Sequence, residues 1–371
     1  MVRSSAIFFG LSNLAAVTLV PLWGWFNGYS LAAWISFFVL LMLGGMSITT
    51  GYHRLWSHRT FKARWPARLF FAIFGGMALQ NSVYVWAARH RVHHRHVDEV
   101  GRDPHSIKSG FWHAHIGWML RAWPTSEVDF SEVKDLEKDW VVMLQHRYYW
   151  ALVWISNLGI PLLLGVIFNE IIGMFLLAGV LRLVVSHHFT FFINSLAHTW
   201  GRRPYSDENT AVDNGWIALL TWGEGYHNYH HAFQADYRNG VRWWQYDPSK
   251  WLINTLAWTG MVFDRKRMPN FRIQRAKLAM EFQRLNQKLS KQNGAHKRWR
   301  ELLDREYQQF RETISAWQAV QMRKLEAGTE SLRDRWVKTE LRCAMKELDY
   351  RLKMQRKRLH VMTQRLKLLP V

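Results

Sequence analysis

From Ala6 to Phe26 the chain reads AIFFGLSNLAAVTLVPLWGWF without a charge, and from Leu31 to Thr50 LAAWISFFVLLMLGGMSITT again carries none. Each run is long enough to cross a hydrocarbon core of about 30 Å as a helix. The first resembles the apolar centre of a secretory signal, but its uncharged run is too long and no small-residue cleavage pattern follows, so it is expected to stay as a span. A second pair is expected at about 149–168 and 171–194, the last passing Arg182. The expected fold class is therefore all-α, an integral membrane protein with four transmembrane helices in two hairpins. Between Arg68 and Trp86 the run LFFAIFGGMALQNSVYVW is apolar too, but Gly75, Gly76 and Gln80 interrupt it. It is expected to dip into the interface, because a fifth span would put the histidine-bearing segments on its two sides on opposite membrane faces.

The loops inside the pairs, FNGYS and FNE, hold no lysine or arginine, whereas 54–147 and everything after Arg202 are crowded with both. The positive-inside rule then places both termini and both large segments in the cytoplasm. Trp23 and Trp25 at one membrane edge, and Trp243, Trp244 and Trp251 in an interfacial stretch, read as an aromatic belt. Formal net charge is +21, and residues 272–371 carry 25 Lys and Arg against 11 Asp and Glu, a surplus of 14. Beside four spans, an anionic membrane surface is a nearer partner for that charge than nucleic acid, which is not expected.

Residues 1–271 thus form a membrane domain and 272–371 a basic helical extension. In the extension, Leu278, Phe282, Leu285 and Leu289 recur at helical spacing, as do Leu303, Tyr307, Phe310, Ile314 and Trp317, and then Leu348, Leu352, Leu359, Met362 and Leu366. Breaks at Asn293-Gly294 and Ala327-Gly328 divide three amphipathic helices, which either fold on themselves or self-associate as a coiled coil.

The chemistry sits in histidine. Of 18 histidines, three groups stand out: HRLWSH (His53, His58), HRVHH (His90, His93, His94) and HNYHH (His227, His230, His231). A random scatter would produce one H-x-x-H-H pattern roughly 0.04 times, and it occurs twice. At i, i+3 and i+4 on a helix, three rings share a face. His53 and His58, five apart, would diverge on a regular helix, so the second span must end or unwind between them. Packed neutral imidazoles leave nitrogens unpaired and protonated ones repel, and a cation removes both problems. Cys343 is the sole cysteine, so any metal takes nitrogen or oxygen ligands. Imidazole suits zinc, copper, iron or nickel, and this many rings exceed what one ion needs.

The three boxes in this order, with a membrane hairpin between the second and third, resemble those of membrane fatty acid desaturases, most closely the stearoyl-CoA desaturase type. The resemblance covers about Tyr52 to Arg267, through GYHRLWSHRTFKA, ALQNSVYVWAARHRVHH, DPHS, GFWHAHIGW, NSLAHTWGRRPY, GEGYHNYHHAF and FDRK. It implies a di-iron centre held by His53, His58, His90, His93, His94, His198, His227, His230 and His231, with Asn194 reaching one ion through water. It implies O2-dependent insertion of a cis double bond at the ninth carbon of a long-chain saturated acyl thioester, with zinc able to replace iron in a purified sample. It also implies an acyl tunnel lined and kinked by Gln80, Asn81, Trp86 and Thr190, with Phe191 where acyl-CoA enzymes carry tryptophan, and a head-group grip near Arg121. Where those enzymes have an Arg-Asp pair before the second box, this chain has Ala88 and Arg89.

His187 and His188 are expected as polar contacts beside the tunnel, and His96, His105, His113, His115, His146, His296 and His360 as structural or solvated. No HPGG, cysteine cluster or Rossmann glycine pattern is present, so electrons are expected from a separate donor of cytochrome b5, ferredoxin or flavodoxin type, which the basic tail could attract. Alternatives sharing the metal site are a desaturase of intact phospholipids, a hydroxylase and a sphingolipid desaturase. A non-catalytic membrane anchor is a further alternative, predicting no bound iron.

Overall fold

The computed structural model describes residues 3–123, 127–290, 297–326 and 335–367. The expected breaks at Asn293-Gly294 and Ala327-Gly328, His296 and the Leu366 side chain lie outside the described residues. The chain opens with α1 (Ser4–Asn27) and α2 (Leu31–Ser57). Strand β1 (Lys62–Ala63) and helices α3 (Trp65–Gly76) and α4 (Val83–Arg95) follow. Next come α5 (Tyr149–Ile167) and α6 (Ile171–His198). The remaining elements are α7 (His227–Ala232), α8 (Pro248–Trp258), β2 (Val262–Phe263), α9 (Asn270–Ser290), α10 (Lys297–Glu326) and α11 (Arg335–Lys367). Helices α1, α2, α5 and α6 are long and apolar enough to cross a membrane.

These four differ from expectation chiefly at their ends. Helix α2 runs past Thr50 to Ser57 and α6 past Asn194 to His198. The change expected between His53 and His58 is present, since the helix stops at Ser57, one residue before His58. The stretch 48–57 is wound more loosely, as a π-helix, and at its end the His58 N–H bonds the His53 carbonyl five residues back at 3.0 Å. Segments of this kind recur at functional sites. The turns between paired helices are tight. The Ser30 hydroxyl caps α2 by accepting the Ala33 N–H at 3.1 Å, and a Cβ on Gly165 would stand 2.7 Å from Ile171 Cα.

The apolar stretch 68–86 is two pieces of helix and a turn, since α3 stops at Gly76 and α4 starts at Val83. Leu79 and Asn81 in the turn take positive φ, 51° and 75°. Side chains satisfy the backbone groups that the turn leaves free. Arg182 donates to the Met77 carbonyl at 3.1 Å, and His187 Nε2 lies 2.9 Å from that of Ala78. Tyr149 Oη accepts the Asn81 N–H at 2.9 Å and Gln145 Oε1 that of Val83 at 3.1 Å.

The chain divides into two compact units, one of Met1–Arg203 with Glu208–Arg267 and the other of Pro204–Asp207 with Met268–Val371. In the first, Phe37, Leu40, Leu41, Met174 and Leu177 form a core between α2 and α6. A second core joins Tyr52, Phe71, Ala87 and Ile253 from α2, α3, α4 and α8. Strands β1 and β2 pair antiparallel, Lys62 opposite Phe263 and Ala63 opposite Val262, clipping the chain after the first histidine box to the chain after the third. In the second unit, α9, α10 and α11 close over their own core, which includes Leu278, Phe282, Phe310, Leu352 and Leu359. There Phe271 stacks on Trp317 at 4.6 Å, while Tyr307 is 46% exposed.

Candidate metal centre

Four helices deliver histidines to one buried place. The π-helical winding of α2 brings the His53 and His58 rings to 4.8 Å, where regular winding would part them. Helix α4 supplies His90, His93 and His94, α6 ends in His198, and α7 is little more than HNYHH. These nine side chains fall into two groups that could each hold an ion, His53, His58, His90, His94 and His230 in one and His93, His198, His227 and His231 in the other. Both α4 and α7 serve both groups, because in an i, i+3, i+4 set the i+3 ring, His93 or His230, turns to one side of the i and i+4 pair.

The nitrogens face one another. Nε2 of His53 lies 3.0 Å from Nε2 of His230, which lies 3.0 Å from Nε2 of His94. His58 and His90 approach at 2.8 Å in the same manner. In the second group, His227 Nε2 is 3.1 Å from both His198 Nε2 and His231 Nε2.

A shell of oxygen behind the rings decides which nitrogen carries the proton. Glu224 Oε2 sits 3.0 Å from His53 Nδ1, and Asp103 Oδ1 2.9 Å from His93 Nδ1. The Thr210 hydroxyl is 2.8 Å from His198 Nδ1. A proton held on Nδ1 leaves a bare lone pair on Nε2, the tautomer a metal requires. Glu224 is itself fixed by Arg54 at 3.1 Å and by the Asn239 amide at 2.7 Å. Arg54, 1% exposed, also meets Asp247 at 3.0 Å, so this buried cation is paired. Burial alone would raise the Glu224 carboxyl, but His53 and Arg54 hold it below its ordinary range.

Burial first, and then the repulsion of neighbouring rings, hold His58, His90, His94, His227, His230 and His231 well below the usual imidazole value. Neutral rings with lone pairs converging at about 3 Å repel unless something positive sits among them. The donor set fits a pair of nitrogen-loving divalent cations, and iron belongs to that class.

Asn194 is half-buried, one turn before His198 on α6. His187 and His188 stand outside both groups. His187 Nε2 faces the Ala78 carbonyl, and His188 joins Asn13 at 2.8 Å and His115 at 3.1 Å. His115 then meets the Ser195 hydroxyl at 3.0 Å. Of the remaining histidines, His146 contacts Ser82 at 2.7 Å, His96 contacts Glu99 at 3.2 Å and His360 contacts Gln364 at 3.4 Å. His105 lies with its ring 4.3 Å from that of His93, and burial pushes its imidazole down to about 3.

Three of the expected substrate residues are connected. The Gln80 amide donates to Thr190 Oγ1 at 2.8 Å and accepts from the Trp86 indole at 3.3 Å. The Trp86 ring then stacks on His90, centroids 4.7 Å apart at 21°. Asn81 is held by its backbone to Tyr149. Buried Phe191 stacks on His187 at 5.7 Å and meets Phe9 edge-on at 5.8 Å. Arg121 is exposed, after the short helix Trp118–Leu120. Arg89 instead lines a polar cavity of about 300 Å³ beside α4, together with Arg95, His96, Arg102, Asp129 and Glu132.

Sequence reasoning missed the oxygen shell. Glu224 and Asp103 lie within GEGYHNYHHAF and DPHS, but a lone acid carries no spacing signal. Thr210, in a loop between two boxes, had none either.

Comparison with known proteins agrees with this geometry. The profile of the family described as fatty acid desaturase matches residues 29–259. The chain is 40% identical over 288 residues to Acyl-CoA desaturase 1 of Saccharomyces cerevisiae, covering 76% of this chain and 56% of that protein. It is 38% identical over 272 residues to Delta(9)-fatty-acid desaturase fat-6 of Caenorhabditis elegans, covering 71% and 78%. It is 37% identical over 238 residues to Acyl-CoA Delta12-desaturase of Acheta domesticus, covering 62% and 66%. The chain thus spans little more than half the length of the yeast relative. With four membrane-length helices, two histidine groups and a family profile matched over most of its length, this chain belongs to the fatty acid desaturase family.

Proposed function

We propose that the chain is an acyl-CoA desaturase of the stearoyl-CoA type, which places a cis double bond at the ninth carbon of a long-chain saturated acyl thioester. The observation that carries this reading is the convergence of nine histidines from four helices into two adjoining groups. Two iron ions held there would supply the oxidising power, drawn from O2 and external electrons, that unactivated methylene carbons demand. Overall, two hydrogens leave the chain and, with two electrons and two protons, reduce O2 to two waters. The electrons come from a separate donor protein.

The residues do the positioning. Glu224, Asp103 and Thr210 keep Nδ1 protonated, and Asn194 would reach the second position through water. Gln80 holds Trp86 and Thr190 in one line, and Trp86 lies flat on His90, so an acyl chain following that line would pass against the first group. An alkyl chain has no polar handle at its middle, so a fixed path must select the carbon.

Helices α2 and α6 end in residues of the same two groups, and tight turns join each to its partner α1 or α5. This supports two hairpins with the histidines at one membrane face, and the lysine and arginine distribution favours the cytoplasm for that face and both termini. The basic helices α9 to α11 would serve self-association or recruitment of the donor.

Gas chromatography with mass spectrometry of lipids from cells expressing the wild type and His230→Ala tests the reading. The wild type is expected to yield a new cis-monounsaturated chain, and the variant less than a hundredth of it. An alcohol in place of an alkene would make the protein a hydroxylase, and equal products from both proteins would end the metal reading.

A further inference from the structure

We propose that the two metal positions are anchored separately, with Asp98, acting through Thr210, as the positioning residue of the second and Glu224 that of the first. The proposal rests on the reading of the nine histidines as ligands.

Asp98 lies just past α4 at φ 66°, a left-handed conformation that aspartate tolerates better than most residues. One carboxylate oxygen, Oδ2, accepts the Thr210 backbone N–H at 2.7 Å, and the other accepts the Thr210 hydroxyl at 2.7 Å. A hydroxyl has a single proton. With that proton directed at Asp98, only a lone pair remains for His198 Nδ1 at 2.8 Å, so His198 must donate from Nδ1. Its Nε2 is left bare, pointing at His227.

Asp98 is held in turn by Asp103, whose Oδ2 accepts the Asp98 backbone N–H at 3.0 Å. The other oxygen of Asp103 faces His93 Nδ1. One buried pair of carboxylates, 6% and 4% exposed, therefore anchors two histidines of the second group. In the first group Glu224 stands 3.0 Å behind His53, and is itself held by Arg54 and Asn239 in a different part of the fold. Each position can then be emptied without the other.

The test uses the full-length chain in detergent, stripped of metal with a chelator and titrated anaerobically with iron(II). Iron per chain and thermal melting are read together. The wild type is expected to take two irons. Thr210→Val keeps the side-chain shape without the hydroxyl and is expected to weaken one position 10–100-fold, leaving one iron per chain at limiting metal. Thr210→Ser should restore the second iron, Asp98→Asn should behave like Thr210→Val, and Glu224→Gln should empty the other position, so that Thr210→Val with Glu224→Gln loses both. If Thr210→Val does not fold, Asp98→Asn decides by the same criterion. The proposal is overturned if a folded Thr210→Val or Asp98→Asn keeps both irons at wild-type affinity or sheds both together. A wild type that takes up no iron overturns the metal reading beneath it as well.

Discussion

Gln80 uses both ends of one amide, donating to Thr190 and accepting from Trp86. Thr190 passes its own proton to the Ser186 carbonyl at 3.1 Å, so its oxygen is free to accept from Gln80. Gln80→Leu strands the indole N–H and that acceptor, at a cost of about 1–3 kcal/mol. Because Trp86 lies on His90, the loosened indole would blur the path of the acyl chain while leaving the cluster nitrogens alone. Turnover is expected to fall on the order of tenfold or more, with double-bond positions spread over neighbouring carbons and iron content unchanged. Gln80→Glu, which keeps the acceptor and loses the donor, should lie between. Positional analysis of products beside an iron assay checks this, and loss of iron in Gln80→Leu would show that the amide supports the metal site instead.

At the scale of elements, the close approach of α2 and α3 sets where His53 and His58 sit. A Cβ at Gly51 would stand 2.6 Å from Phe71 Cβ and 3.1 Å from the Trp56 ring. Gly51→Ala must therefore push the π-helical segment off α3, at about 1–3 kcal/mol, and should lower iron affinity as well as the melting temperature. Gly10→Ala on α1, where nothing lies within 4 Å, is the control and should be neutral or slightly stabilising. Equal melting curves and equal iron in both variants would mean that the packing yields more easily than the geometry implies. Uncharged runs made the four long helices legible, since length and apolarity are local properties. The histidine boxes were legible for a related reason, as i, i+3, i+4 is a helix period written in residues. The winding of 48–57 was legible only in part, since the five-residue gap of His53 and His58 required the span to end or unwind, but no residue pattern specifies i→i+5 bonding. The acids behind the rings were also out of reach, for Glu224 lies far along the chain from Asp98 and Asp103, and they gain meaning only when the fold brings Glu224 and Asp103 to Nδ1 atoms and Asp98 to Thr210.

Over the whole molecule, the histidine centre is a large deposit of buried neutral rings, and that makes the metal-free fold sensitive to acid. His58, His90, His94, His227, His230 and His231 are all held well below 6.5 by burial and by one another, while in an unfolded chain each takes its proton near 6.5. The unfolded state therefore binds more protons below that pH, and stability falls as pH falls. The contribution is fully present above pH 6.5 and is lost below it, each ring adding up to about 1.4 kcal/mol per pH unit until its folded-state value is reached. Several rings acting together should give a steep loss between pH 6.5 and 5.5. Iron competes with protons for the same Nε2 lone pairs, so the loaded protein should keep its melting temperature to lower pH than the stripped one. Melting followed by tryptophan fluorescence, with and without iron, measures both curves in one detergent. A metal-free protein whose melting temperature is flat from pH 7 to 5.5 would require the imidazoles to lie in water, because rings that stay solvated gain protons equally in both states and contribute no slope.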